Sequence, residues 1–160
     1  MPLLHPDEWN KSDILDFELF SGVNPFDRRH EGLAEVLDVV ESVDEELRPG
    51  RISFERSRKP KYSRQLMHES FAEFQFMEHT SFFLECARVP DAYFDIHGST
   101  DAQGSVFSLT LRIIPFAWCR ESGKEEERAA GLVSLVRTLA SRLPLSYGMA
   151  HSDTDNLLDT

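Results

Sequence analysis

The stretch VFSLTLRII, Val106 to Ile114, alternates without a break: Phe107, Leu109, Leu111 and Ile113 are large and apolar, and Ser108, Thr110 and Arg112 between them are polar. Successive side chains of a strand point to opposite faces, so the pattern predicts a strand with one face in a core and one toward water. A sheet wet on one side needs cover on the other, which amphipathic helices supply.

Such helices flank it. Ser122-Gly-Lys-Glu125 reads as a capping box, and Glu125, Glu126 and Glu127 fill the first turn, where the helix dipole favours anions. Leu132, Leu135, Val136, Leu139 and Leu143 form this helix's stripe, Pro144 follows its end, and Leu145 to Ala150 predicts a short strand. Upstream, Ala92 to His97 predicts a strand and Gly98 to Gly104 a turn. Ile14 to Ser21 places Leu15, Phe17 and Leu19 on one face and Asp16 and Glu18 on the other, a half-buried strand. Asn24-Pro25-Phe26-Asp27 predicts a helix start, with Asn as cap and Pro at the first helical position. That helix is expected to reach about Leu47, where Arg48-Pro49-Gly50 stops it, with Leu33, Val36, Leu37, Val40, Val43 and Leu47 as its stripe. Arg51 to Arg56 predicts a strand with Ile52 and Phe54 inward, followed by a basic loop over Ser57 to Ser63. Residues 64–89 suit a helix through Leu66, Phe71, Phe74 and Met77, while Phe74 and Phe76 alternate like a strand; helix is the preferred reading.

The order β-α-β-(α)-β-β-α-β predicts one α+β domain over residues 1–160: a single mixed or antiparallel sheet of about five strands, with two or three helices packed mainly on one face, and loosely held ends at 1–13 and 156–160. A chain of 160 residues with 41% apolar content suits one core. No basic segment followed by an apolar run opens the chain, and no run of about 18 apolar residues exists, so a cytoplasmic protein with no membrane span is expected. Cys86 and Cys119 are the only cysteines and read as reduced, buried thiols.

Charge is unevenly placed. Residues 1–50 hold 13 acids against four bases, residues 51–64 hold six bases against one acid, and residues 65–160 hold 14 acids against seven bases. Between Glu31 and Glu46 no Lys or Arg occurs, so no helical i,i+4 ion pair offsets the acidic face of Glu31, Glu35, Asp38 and Glu45. That face is either an ordinary solvated one or a field that attracts a basic partner. The segment carrying Arg56, Arg58, Lys59, Lys61 and Arg64 either contacts a partner or pairs with the protein's own acidic helix. On a chain of net charge −11, it makes a poor general nucleic-acid site.

Catalytic signatures are sparse. His68-Glu69 begins like a zincin motif, but Ala72 stands where the second histidine belongs. His68, Glu69, Glu73 and His79 are the candidates for a small metal-dependent enzyme, against the plainer reading of a solvated helix face. His151-Ser152-Asp153 holds the residue types of a serine hydrolase, yet adjacent residues do not build a triad, and a polar C-terminal turn is expected there. No Gly-rich phosphate loop appears. No catalytic residue, metal or cofactor is therefore assigned.

The stretch LPLSYGMAHSD, Leu143 to Asp153, following a Leu- and Val-rich helix, resembles the bacterial immunity proteins that neutralise polymorphic or type VI-secreted toxins. Leu143, Pro144, Tyr147, Gly148, Ala150 and His151 match the pattern, and Met149 stands where an aromatic is common. The resemblance implies a non-catalytic protein that occludes a cognate toxin. Such a toxin is often a nuclease with a basic cleft, against which an acidic helix acts as a phosphate mimic. Glu31, Glu35, Asp38 and Glu45 are the expected contact, with Arg56, Arg58, Lys59, Lys61, Arg64 and His151 as secondary candidates. A regulatory protein-interaction domain without a toxin is the third reading, and the oligomeric state stays open.

Overall fold

The computed structural model describes residues 14–43, 45–53, 60–73, 79–89, 92–114 and 124–152. Their strands are β1 (Leu15–Ser21), β2 (Pro49–Ser53), β3 (His79–Cys86), β4 (Tyr93–Asp101), β5 (Gly104–Ile113) and β6 (Tyr147–Ser152). Their α-helices are α1 (His30–Glu41), α2 (Arg64–Glu73) and α3 (Glu125–Arg142), and a 3₁₀ turn spans Pro25–Arg28. The six strands form one sheet in the order β2-β3-β4-β5-β1-β6, and every neighbouring pair is antiparallel. The architecture is α+β.

The alternating stretch lies in mid-sheet. Phe107, Leu109, Leu111 and Ile113 are buried, opposite Gly98, Ile96 and Phe94 of β4 on one side and Leu19 and Phe17 of β1 on the other. The stripes of α1 and α3 enter the same core: Leu33, Val36, Leu37, Val39 and Val40 from the first, Leu132, Leu135 and Leu139 from the second, with Leu143 following just after it. The helices thus cover one face of the sheet.

Four sequence-based expectations are corrected. The predicted 24–47 helix is two elements. Asn24 does cap, its Oδ1 accepting from the Phe26 amide, but the turn it caps is 3₁₀ and ends where Arg29 takes φ 54°. Helix α1 then stops at Glu41, and Val43 and Leu47 are buried from the connection that follows. Residues 64–89 are not one helix: α2 is followed by strand β3, whose Phe82 and Leu84 are the buried alternate residues. The expected Gly98–Gly104 turn is mostly strand, because β4 and β5 pair as far as Asp101 opposite Gly104. Asp16, read as solvated, is 2% exposed. Phe54 lies outside the described residues.

The 3₁₀ turn is wedged between α1 and β4 by two glycines. A Cβ on Gly32 would lie 1.7 Å from the Pro25 carbonyl oxygen, and one on Gly98 would lie 2.5 Å from both Asn24 Oδ1 and the Phe26 ring. Phe26 can therefore insert among Phe71, Phe82 and Phe107, with ring centroids 5.5, 5.8 and 5.7 Å away. Such tilted aromatic contacts add to plain area burial.

Candidate functional site

The acidic face of α1 is solvent-facing, and its compensation comes from elsewhere in the fold. Arg28, at the end of the 3₁₀ turn, hydrogen-bonds Glu35 and lies 3.9 Å from Glu31. Arg64, the first residue of α2, hydrogen-bonds Asp38 and donates from Nε to Glu41 at 2.8 Å. Glu45, expected on the same helix face, lies instead in the connection beyond the end of α1 and pairs with Arg88 at 2.7 Å. Each of the first two arginines is shared between two carboxylates, so four acids face two bases on α1. Tyr62 donates to Glu41, and its burial, then that hydrogen bond, push its pKa up. Burial works against the Arg64 charge, but hydrogen bonds to Asp38 and Glu41 outweigh it and raise its pKa.

The secondary candidates are dispersed. Arg64 belongs to the acidic face. Lys61 lies on the opposite side of its loop and lines a cavity of about 860 Å³ at one end of the sheet, with Arg51, Glu85, Cys86, Tyr93 and Arg112. Arg56, Arg58 and Lys59 lie outside the described residues. His151 is not in a turn: it is in β6, opposite Asp16 in register.

The two histidines among the metal-site candidates lie apart. His68 turns toward α1, where its Nδ1 lies 3.0 Å from that of His30 and the rings stack. Burial, then the charges of His30 and Arg64, lower its pKa. His79 stacks on His97 on the far face of the sheet. Glu69 accepts from Gln65 at 2.7 Å. Nothing is described of the Glu73 side chain. Among the described residues no three metal-ligating side chains cluster.

That far face carries the most deeply buried charge among the described residues. Asp16 receives Arg112 Nε at 2.7 Å and Nη2 at 2.6 Å, and Arg112 Nη1 donates to the Tyr93 hydroxyl at 2.9 Å. The fork geometry of guanidinium and carboxylate is the strongest such pairing, and the hydrogen bonds to Asp16 raise the Arg112 pKa. Asp95 nearby is held above the ordinary carboxylate range by burial, which His97 and Arg112 only partly offset.

A second surface was missed by sequence reading. An apolar groove of about 560 Å³ runs between α3 and β6, floored by Phe17 and Leu19 and walled by Val133, Val136, Arg137 and Ala140. Beside it Tyr147 and Met149 are 60% and 50% exposed, and Val133 on the helix is 51% exposed. The signal was present: residues 133, 136, 137 and 140 recur at helical spacing on the flank of the predicted stripe. The groove adjoins β6, which falls within the stretch that carries the immunity-protein resemblance.

Among the described residues no helix is long and apolar enough to cross a membrane. Comparison of the chain with protein-family models, with curated proteins and with solved structures gives no match.

Proposed function

We propose that this domain acts by binding and occluding another protein, as an immunity-type partner of a bacterial toxin that presents a basic surface. The observation that carries the reading is the outer face of α1. There, among the described residues, Glu31, Glu35, Asp38 and Glu41 share Arg28 and Arg64, two bases between four acids, which leaves these side chains a net charge of about −2 after their own pairs are made. Exposed ion pairs of this kind are worth only about 0–1 kcal/mol each, so incoming Lys and Arg exchange with them at little cost. Such a face speeds encounter with a basic partner and disfavours acidic ones. The resemblance at Leu143 to Asp153 supplies the partner class.

The test is co-expression in bacterial cells with the toxin encoded by a neighbouring reading frame. Restored growth and a stable complex on gel filtration are expected. Neutralising the face with Glu31→Gln, Glu35→Gln, Asp38→Asn and Glu41→Gln slows association about tenfold at low salt, and the gap closes as salt rises. No complex and no rescue refutes the toxin reading; a complex without rescue leaves a regulatory interaction domain.

A further inference from the structure

The two edges of the sheet are treated differently by the chain. The β2 edge is closed. It begins at Pro49, its register slips between Pro49 and Arg51, and residues 60–62 lie along it. The Ile52 amide donates to the Pro60 carbonyl at 2.9 Å, and the Tyr62 amide donates to the Gly50 carbonyl at 2.9 Å. These are the devices by which sheet edges are protected from pairing with other chains. The β6 edge has none of them. Tyr-Gly-Met-Ala-His-Ser contains no Pro, Lys, Asp or Glu, and among the described residues no backbone hydrogen bond reaches it from outside the sheet.

We infer that the β6 edge and the adjoining α3 groove form a docking site for an extended segment of another protein, which adds to the sheet as a seventh strand. The inference rests on the protein-binding reading only in that the occupant is a protein; it uses none of the acidic residues of α1. The chemistry of the occupant follows from the register. Gly148 and Ala150 lie opposite Leu19 and Phe17, so β6 turns its smallest side chains toward the groove. A Cβ on Gly148 would lie 2.6 Å from the Leu19 side chain. The groove floor is therefore left unfilled by β6 itself. An added strand places alternate side chains on that side, and large apolar ones are needed to cover Val133 and Ala140. A second copy pairing β6 to β6 brings only another Gly148 and Ala150 to the groove and leaves it empty. Charge complementarity adds one further element. Arg137 is the single charged residue of the groove and has no carboxylate partner among the described residues, so the occupant carries an acid on its apolar side. On a chain of net charge −11, this is a place where an acidic segment is accepted.

The experiment uses the full chain and a fluorescent synthetic peptide, Thr-Val-Thr-Leu-Thr-Leu-Thr-Glu, alongside a version ending in Lys. Expected are saturable binding of the Glu peptide, weaker binding of the Lys peptide, and hydrogen exchange of the 147–152 amides slowed about tenfold or more on binding. The double variant Val133→Glu/Ala140→Glu, at exposed positions, should abolish binding. Arg137→Glu, which leaves the groove's apolar walls intact, should reverse the preference between peptides. No binding at millimolar peptide, binding that survives the double variant, or a dimer whose β6 amides are already protected without peptide overturns the proposal. Because the α1 carboxylates are untouched, failure here leaves the toxin-rescue test standing, and failure of that test leaves this one standing.

Discussion

Removing Arg112 should cost far more than removing the partner it neutralises. Asp16 is 2% exposed while the Arg112 side chain is 36% exposed. Arg112→Met deletes both charge-assisted hydrogen bonds and leaves a carboxylate that water does not reach. Breaking a buried pair in this way costs about 3–5 kcal/mol, a large share of the roughly 5–15 kcal/mol that holds a domain folded. Asp16→Asn leaves an exposed guanidinium that keeps its bond to the Tyr93 hydroxyl, lies 5.6 Å from that ring's centre and reaches solvent. The expected loss is about 1–2 kcal/mol. The double variant should lose less than the sum of the two, with a coupling of about 1–3 kcal/mol. Urea unfolding followed by circular dichroism measures all three variants. A cost for Arg112→Met no larger than that for Asp16→Asn, or no coupling in the double variant, would refute the reasoning.

Other outcomes can be checked with the same assay or simple labelling. Leu111→Ala, at a residue 1% exposed, should lose about 2–5 kcal/mol, as buried leucine truncations do. Gly32→Ala drives a methyl to 1.7 Å from the Pro25 carbonyl and should cost at least about 2 kcal/mol despite alanine's better helix propensity. Burial lowers the folded pKa of His68 below its unfolded value of 6.5, so the stability tied to its neutral form is complete above 6.5 and is lost as pH falls from there through the lower folded pKa. His68→Gln should flatten the change in urea midpoint between about pH 7.5 and about pH 5. Burial, then the Glu85 charge, push the Cys86 thiol up to about 12. In a Cys119→Ser background its reaction with iodoacetamide at pH 8 should be roughly a thousandfold slower folded than unfolded.

The sequence was most legible where a single period ran uninterrupted. Phe107 to Ile113 and Leu132 to Leu143 read correctly because every inward position is apolar and the spacing admits one structure. The α1 stripe is legible at Leu33, Val36, Leu37 and Val40, but the pattern passes over Val39, which is buried too, and extends the helix too far at both ends. Periodicity does not register that Gly32 lets the Pro25 carbonyl press into α1, or that Arg29 breaks the helix with a positive φ. Strand β3 was hidden because Phe71 and Phe74 continue a helical spacing into the residues that precede it. Charge pairing was the least legible. The absence of bases between Glu31 and Glu46 is a fact of the chain, but Arg28 reaches Glu31 and Glu35 from the turn just before the helix, and Arg64 and Arg88 reach Asp38, Glu41 and Glu45 through tertiary packing. Asp16 looked solvated because its strand alternates; only the fold brings Arg112 beside it.

The position of β1 sets the order in which this chain becomes a domain. Strands β2 to β5 form a meander whose neighbours follow one another in sequence, whereas Leu15 of β1 lies opposite Ile113 and Ser152. During synthesis at ~5–20 residues per second, β1 waits roughly 5–20 seconds before β5 is complete. Through that interval Leu15, Phe17 and Leu19 have no sheet to join, and Asp16 and Glu18 are the charges that keep the strand from pairing elsewhere. Asp16 thus serves the nascent chain as a soluble charge and the finished one as a buried anchor. A chain released before Ile113 holds a β-meander with its outer side uncovered and β1 unplaced, so truncated products of this gene should aggregate or be degraded rather than persist as smaller domains.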